Sequence, residues 1–541
     1  MLLAALCLLL LAPAPAAGAE RAAAADALVI AARVREAHHP WLRWPRFPDY
    51  RGSLDALYAP RGYAALWLDR AEPTPQARAA LVALDDARAQ GLDPSDYDAP
   101  MLAEQARLLA AGADASAQEL ALFDVALSVG MLRLLSHLHL GRVSPRNVGF
   151  GLDVEQHDFA ALLAAAVRDG RVSALVEELE PRFHVYLRMR NALHRYQALA
   201  GDRTVAPVAV AGTLRPGERF AGAAALARWL GALGDLPPAA APAGARYDGA
   251  LVAAVERFQR RHGLEPDGVI GPLTARALAV PPAARVRQIE LALERYRWIP
   301  DVGEQRFVFV NVPAFELLAF DGVDPPEGPA LAMRVVTGRA GRTPTPVLAA
   351  ALKTVVFGPY WNIPGSIVSE EILPKLERDV GYLAAEEMEI VAGDRVLPET
   401  AESVALLAAG EARLRQRPGA KNALGRVKFL FPNPHDVYLH DTPSQTLFRA
   451  ARRDFSHGCV RVEQPEALAR WALSDQPEWG PERIAAALAL PSETRVEVRA
   501  PTLVLLFYAT VQARSDGSVS FYEDLYGHDA ELERTLARGH R

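Results

Sequence analysis

Cysteine is almost absent from this chain: its 541 residues hold two, Cys7 and Cys459. Cys7 lies inside an apolar N-terminal run, so removal of that run leaves Cys459 as the remaining thiol. A solitary thiol excludes an internal disulfide framework and raises the question of reactivity. The bland alternative is a small buried hydrophobe. Charge of one sign is also sparse. The net charge is −6, and no five or six like charges run together. That argues against a nucleic-acid binder with its clustered basic face. No HExxH pair is present to hold a catalytic zinc ion. Beyond the N-terminus we read no second apolar stretch of bilayer-spanning length, about 20 residues.

What is present begins with that leader. Met1–Ala12 read MLLAALCLLLLA, followed by Pro13 and Pro15 and then Ala17-Gly18-Ala19 before Glu20. The run is short for a membrane span and suits a signal-peptide core with a small-x-small cleavage site, so residues 1–19 are expected to direct export. No Lys or Arg precedes the run, which leaves room for a start codon upstream. Cys7 lacks the Leu-Ala-Gly context of lipid attachment.

Half of the residues are hydrophobic, enough for several cores, and the length suggests roughly three or four domains. The expected fold class is multidomain α+β. Residues 20–205 read as a helical scaffold, with apolar spacings of three and four along Glu119–Leu140. Ala22–Ala25 and Leu236–Ala245 read as linkers. Residues 206–282 hold a small helical module in which Leu251, Ala254, Val255 and Phe258 share one helical face. Gly263 stops that helix, and Pro272 opens the next. Residues 283–500 read as a mostly β domain, with a helical lid inserted at about 366–420. Residues 501–541 read as a β-hairpin around Ser515-Asp516-Gly517, packed on that domain.

The chemistry gathers in Tyr438-Leu439-His440-Asp441-Thr442-Pro443 and Phe455-Ser456-His457-Gly458-Cys459-Val460-Arg461. An ordinary thiol is a few per cent ionised near neutrality. A neighbouring imidazole takes its proton or lowers its pKa, and His440 and His457 are the candidates. Gly458 permits close backbone approach, and N–H groups around Gly458 and Cys459 are candidate oxyanion donors.

His440-x(15)-Ser456-His457-Gly458-Cys459-x-Arg461 resembles the signature of L,D-transpeptidases with the YkuD-type catalytic domain. Tyr360-Trp361-Asn362-Ile363-Pro364 and Gly425-Arg426-Val427-Lys428-Phe429 are similar to the large Gram-negative branch of that family. Asp248 to Thr274, with Phe258-Gln259, His262-Gly263-Leu264 and Asp267-Gly268-Val269, resembles the peptidoglycan-binding type 1 domain. The resemblance implies a periplasmic enzyme that needs no cofactor or metal. Cys459 would attack the peptide bond between the third residue of a stem peptide and D-Ala, and His440 would be its base. D-Ala leaves, a thioester forms, and a second stem's amine completes a 3→3 cross-link. Peptidoglycan stems and glycan strands are the implied partners, other cell-wall synthesis enzymes are candidate ones, and carbapenems are implied inhibitors.

Competing readings accompany these residues. His457 is a catalytic or a loop-fixing group, Arg461 a substrate ligand or a loop ion pair, and Trp361 a groove wall or core. Adjacent residues of a strand face opposite ways, so no triad is expected through Asp441. The same acyl-enzyme would serve hydrolysis (an L,D-carboxypeptidase) or protein attachment to the wall. A zinc peptidase using His440, His457 and Cys459, and a non-catalytic wall-binding scaffold, are the remaining alternatives.

Overall fold

The structure is a computed structural model that describes residues 16–112, 114–237, 244–322, 328–379, 381–490 and 492–538. The expected leader lies outside the described residues as far as residue 15, Cys7 with it, as does most of the expected linker at 236–245. Ala22–Ala25, expected as a linker, instead falls within the helix Ala16–Glu36. Alanine loses no side-chain entropy in a helix, which makes such a run helical by default.

The chain divides into two compact units, one reaching Val143 and including Val154–Pro181, the other comprising Ser144–Asp153 and Arg182–Ala537. The first is helical and centres on Ala117–Leu140. Ser116 caps that helix: its hydroxyl accepts from the N–H of Glu119, whose carboxylate accepts from the N–H of Ser116 in return. This helix is long and apolar enough to cross a membrane by length and composition, contrary to the reading of the sequence, and 83% of its most apolar window is buried in the fold. Asp124 fixes it there. Its carboxylate accepts from the Tyr58 hydroxyl at 2.6 Å and from the N–H of Trp67 at 2.7 Å.

In the second unit the helix His184–Gly201, expected with the scaffold, packs beside Pro282–Tyr296. The small module forms as expected. Leu251, Ala254, Val255 and Phe258 are buried on Ala250–Arg261, Gly263 follows at φ +65°, and Pro272–Leu278 is the second helix.

The rest of this unit is built on an eleven-stranded sheet among the described residues. From one edge its order is Thr494–Glu497, Thr354–Phe357, Val427–Leu430, Leu439–His440, Val460–Val462, Leu331–Gly338, Glu316–Phe320, Arg306–Asn311, Thr502–Phe507 and Leu348–Ala351, with Asp454–Ser456 joined beside Leu331–Gly338. Leu439–His440 runs parallel to Val460–Val462, an exception among mainly antiparallel neighbours. One face buries Val427, Phe429, Leu439, Val460 and Val462 against the helices Pro465–Ala472 and Pro481–Ala489.

The lid insertion is helical over Gly365–Leu376 and Ala401–Ala408, as expected, and holds more than helices. Met388–Ala392, Arg395–Leu397 and Arg413–Gln416 join Trp361–Asn362 in a four-stranded sheet with its own apolar core around Ile372, Ile390 and Leu414. The C-terminal segment also differs from expectation. Thr502–Phe507 is a strand of the main sheet, and the hairpin pairs Val511–Ala513 with Val519–Phe521. The continuous apolar run Leu503–Phe507 is what a strand buried on both faces requires.

Candidate active site

Strand alternation builds the site. Leu439, Val460 and Phe429 turn into the core, so Lys428, His440 and Arg461 occupy the opposite face. Register sets them in one row across three strands: Lys428 is opposite His440, and His440 is opposite Arg461. Two cations therefore flank one imidazole.

His440 is 5% exposed, and its Nδ1 lies 2.6 Å from the carbonyl oxygen of Asp441. A carbonyl only accepts, so Nδ1 carries the proton and Nε2 keeps its lone pair. Burial pushes the imidazole pKa down to about 3, and the charges of Arg461 and Lys428 push in the same direction. The ring is thus a neutral base. The side chain of Asp441 is engaged elsewhere, accepting from the N–H groups of Arg426 at 2.8 Å and Thr442 at 2.7 Å. The ring is oriented by a main-chain carbonyl, and no carboxylate triad forms through Asp441.

Cys459 is a free thiol immediately before the adjoining strand Val460–Val462. The N–H of Val460 donates to the carbonyl of Tyr438 at 3.1 Å, which puts Cys459 beside Tyr438. Burial pushes the thiol pKa up, while hydrogen bonds from Tyr438 and the charge of Arg461 oppose that shift. Of the two roles open to an imidazole in the sequence reading, these directions disfavour a resting thiolate: a desolvated sulfur resists ionisation, and His440 is uncharged. Tyr438 also meets His440 edge-on, with ring centroids 5.7 Å apart. It links base and sulfur, and the sequence reading overlooked it. The available signal was its position two residues before His440, on the same face of an extended segment.

The loop that carries Cys459 is tightly strapped. The Ser456 hydroxyl donates to the carbonyl of Cys459 and accepts from the N–H of Gly458. Thr343 and Thr345 donate through their hydroxyls to the carbonyls of Ser456 and Gly458, at 2.9 and 2.8 Å. Tyr526, from the C-terminal segment, donates to the carbonyl of Gly338 at 2.6 Å. Gly338 sits so close to Thr343 that a Cβ there would lie 2.0 Å from its carbonyl oxygen. Gly458 adopts φ +112°, a conformation that glycine alone takes readily. Its N–H, expected as an oxyanion donor, points to Ser456 instead; the N–H of Cys459 makes no hydrogen bond among the described residues.

The other candidates separate. Arg461 forms no ion pair among the described residues, and its Nε is buried without a partner. His457 turns to the lid, where its Nε2 is 2.7 Å from Oε1 of Glu371. Trp361 packs on the lid's own core. His440, His457 and Cys459 form no three-ligand cluster among the described residues.

Comparison with known proteins divides the sequence into three matched regions, the first of which runs past Pro181 into the second compact unit. Three family models match: "Scaffold domain" over residues 52–193, "Putative peptidoglycan binding domain" over 222–278 and "L,D-transpeptidase catalytic domain" over 305–498. A "Putative L,D-transpeptidase" of Haemophilus influenzae is 32% identical over 248 residues, 46% of this chain and 49% of that protein. The chain thus spans about half the length of this curated relative. An L,D-transpeptidase crystal structure from Xylanimonas cellulosilytica is 16% identical and covers 56% of this chain and 100% of its own, at a TM-score of 0.17, too low to bear on the fold. The candidate site thus lies in the region that matches the YkuD model, the L,D-transpeptidase catalytic domain, preceded in sequence by regions that match a scaffold domain and a peptidoglycan-binding domain.

Proposed function

We propose that this protein is an exported, periplasmic L,D-transpeptidase that forms 3→3 cross-links between peptidoglycan stems through a thioester on Cys459. The observation that carries the reading is the fixed tautomer of His440, a neutral base on the same sheet face as Arg461 and in contact with the tyrosine beside Cys459.

The reaction begins from an uncharged pair. With the thiol pKa raised and the imidazole pKa lowered, an ion pair is disfavoured at rest. The proton therefore leaves sulfur as sulfur attacks the carbonyl of the third stem residue, and Nε2 of His440 receives it. The N–H of Cys459, lacking a partner, stabilises the carbonyl oxygen as it becomes anionic. The tetrahedral species collapses with cleavage of the C–N bond. His440 returns the proton to the departing amine, so D-Ala leaves neutral at nitrogen and the acyl group stays on sulfur. A side-chain amine of a second stem then attacks the thioester, gives its proton to Nε2, and forms the new amide. The thiolate leaves and is reprotonated by His440.

Arg461 fits substrate binding better than a loop ion pair, since its guanidinium faces the site without a carboxylate partner. It would hold a stem carboxylate by charge-assisted hydrogen bonds. The test is to incubate the purified protein with disaccharide-tetrapeptide and weigh the products. A dimer lacking one D-Ala supports cross-linking; tripeptide alone replaces it with hydrolysis; unchanged substrate together with an unmodified Cys459 overturns the reading.

A further inference from the structure

A cavity of about 650 Å³ opens where the small module meets the main sheet, walled by Arg260 and His262–Pro266 on one side and by Phe315–Glu316, Met333–Arg334 and Arg449–Arg453 on the other. A second cavity of about 690 Å³ shares Arg260 and Arg514 with it and continues along the hairpin, from Asp516 to Val519. The two adjoin at Arg260 and Arg514 along the seam, and neither is lined by a residue assigned to the reaction.

Its walls are held in place. Arg261 bridges the seam, with Nε 2.8 Å from the carboxylate of Asp235 and Nη1 2.7 Å from the carbonyl of Val519. His262 stacks on Phe258 at 3.8 Å and on Phe521 of the hairpin at 5.8 Å. The module's histidine is therefore part of the joint. Gln288 Nε2 adds donation to the carbonyls of Thr510 and Tyr522. A groove with fixed walls loses little entropy when it is filled.

The charge of the groove is not cancelled internally. Ion pairing joins Arg334 to Glu463, Arg514 to Glu316, Arg261 to Asp235 and Arg452 to Glu523. Arg260 and Arg449, on facing walls, have no partner among the described residues. Arg453 gives its donors to the carbonyls of Val335, Ala450, Ala451 and Phe315 and forms no ion pair among the described residues, Glu463 and Glu316 acting on its charge from beyond contact. Glu265 and Asp516 are the acidic groups of the lining outside an ion pair. The free guanidinium groups outweigh them, in a chain whose overall charge is −6. Guanidinium groups suit carboxylates because their paired donors match the two oxygens.

We propose that this seam is a second, non-catalytic binding site for the carboxylate-bearing peptide stems of a glycan strand. The proposal rests on the transpeptidase reading for the identity of the polymer. Arg453 stands six residues before Cys459, at most about 20 Å of extended chain, so a stem held in the groove keeps its strand near the sulfur.

The test compares the full chain with an Arg260→Ala, Arg449→Ala double variant, both side chains being exposed and outside the reaction. Binding is measured to uncross-linked glycan strands carrying stems and to the same strands after an amidase has removed the stems. Turnover of soluble disaccharide-tetrapeptide is followed in parallel. The expected result is that the variant loses at least about tenfold in affinity for stem-bearing strands and keeps tetrapeptide turnover, and that the wild type binds stem-free strands as weakly as the variant binds intact ones. Equal binding of wild type and variant to intact strands would overturn the proposal, as would tight wild-type binding to stem-free strands. A wild type that binds through these arginines but never turns over tetrapeptide would sink the catalytic reading and leave the groove standing.

Discussion

The Nδ1 of His440 and the main-chain carbonyl of its neighbour Asp441, 2.6 Å apart, form the orienting contact of this site. A carboxylate in that place would favour the imidazolium; a neutral carbonyl fixes the tautomer with a much weaker pull on the charge. Flanking cations and burial then hold the ring uncharged, with its pKa at about 3. The acid limb of kcat/KM is therefore expected well below pH 5, not near the ordinary histidine value. His440→Ala should slow acylation of Cys459 about 10²- to 10⁴-fold, the usual worth of a general base. Single-turnover acylation by a carbapenem, read by mass spectrometry across pH 4 to 8, checks both. An inflection near 6.5 would mean that the ring is not desolvated as described.

Two histidines depressed by burial, His440 and His528 at the start of the helix His528–Arg538, couple stability to pH. His440 falls to about 3 and His528 to about 4, against 6.5 for a free ring. Below about 6.5 the unfolded chain binds protons that the folded one refuses. Their contribution is thus fully present above that pH and is lost as pH falls toward the folded values. Each costs up to about 1.4 kcal/mol per pH unit in that window. Denaturant midpoints for the second unit should drop between pH 7 and pH 5; a midpoint that rises or stays level contradicts the assignment.

Much of this was legible in the sequence because it depends on local pattern. The Ser456–Arg461 motif, the alternating strands and the paired helices of the small module all declare themselves within a few residues. What stayed hidden depends on pairing over distance. Nothing near Thr502 says that its run joins the main sheet, since that follows from parallel pairing with Arg306–Asn311 almost 200 residues earlier. The protonation states at the site were likewise hidden. The motif names an imidazole and a thiol, whereas burial sets the direction of both pKa values, with Arg461 and Lys428 on flanking strands adding to the shift of His440 and Arg461 opposing that of Cys459. The short alternating strands of the lid were overshadowed by the stronger helical periodicity around them.

Tyr438 follows from register and carries its own prediction. Its hydrogen bonding favours the thiolate over the thiol, so Tyr438→Phe, which removes the hydroxyl while keeping the ring against His440, should raise the pKa of Cys459 further. The pH dependence of alkylation by iodoacetamide should shift upward, and acylation should slow by about tenfold, the worth of one hydrogen bond to a charged group. An unmoved alkylation profile would reduce Tyr438 to a packing residue.

His457 and Glu371 join the inserted lid to the loop that carries Cys459 at 2.7 Å, on a π-helical turn, Val368–Ile372, that also presents Glu370 3.8 Å from Arg342. Both pairs are largely open to solvent, and such pairs contribute about 0–1 kcal/mol. On the proposed reading, a contact this weak would hold the insertion without locking it. His457→Ala should therefore keep carbapenem acylation of Cys459 within about tenfold of wild type, in contrast to His440→Ala. Glu371→Gln retains the side-chain volume and should give the same small change, because it acts on the same contact. Combining the two should add nothing, as expected when both remove one interaction. Acylation rates for the two single variants and the double variant make the comparison. A loss with His457→Ala as deep as that with His440→Ala, while Glu371→Gln stays silent, would move His457 from the lid contact into the chemistry.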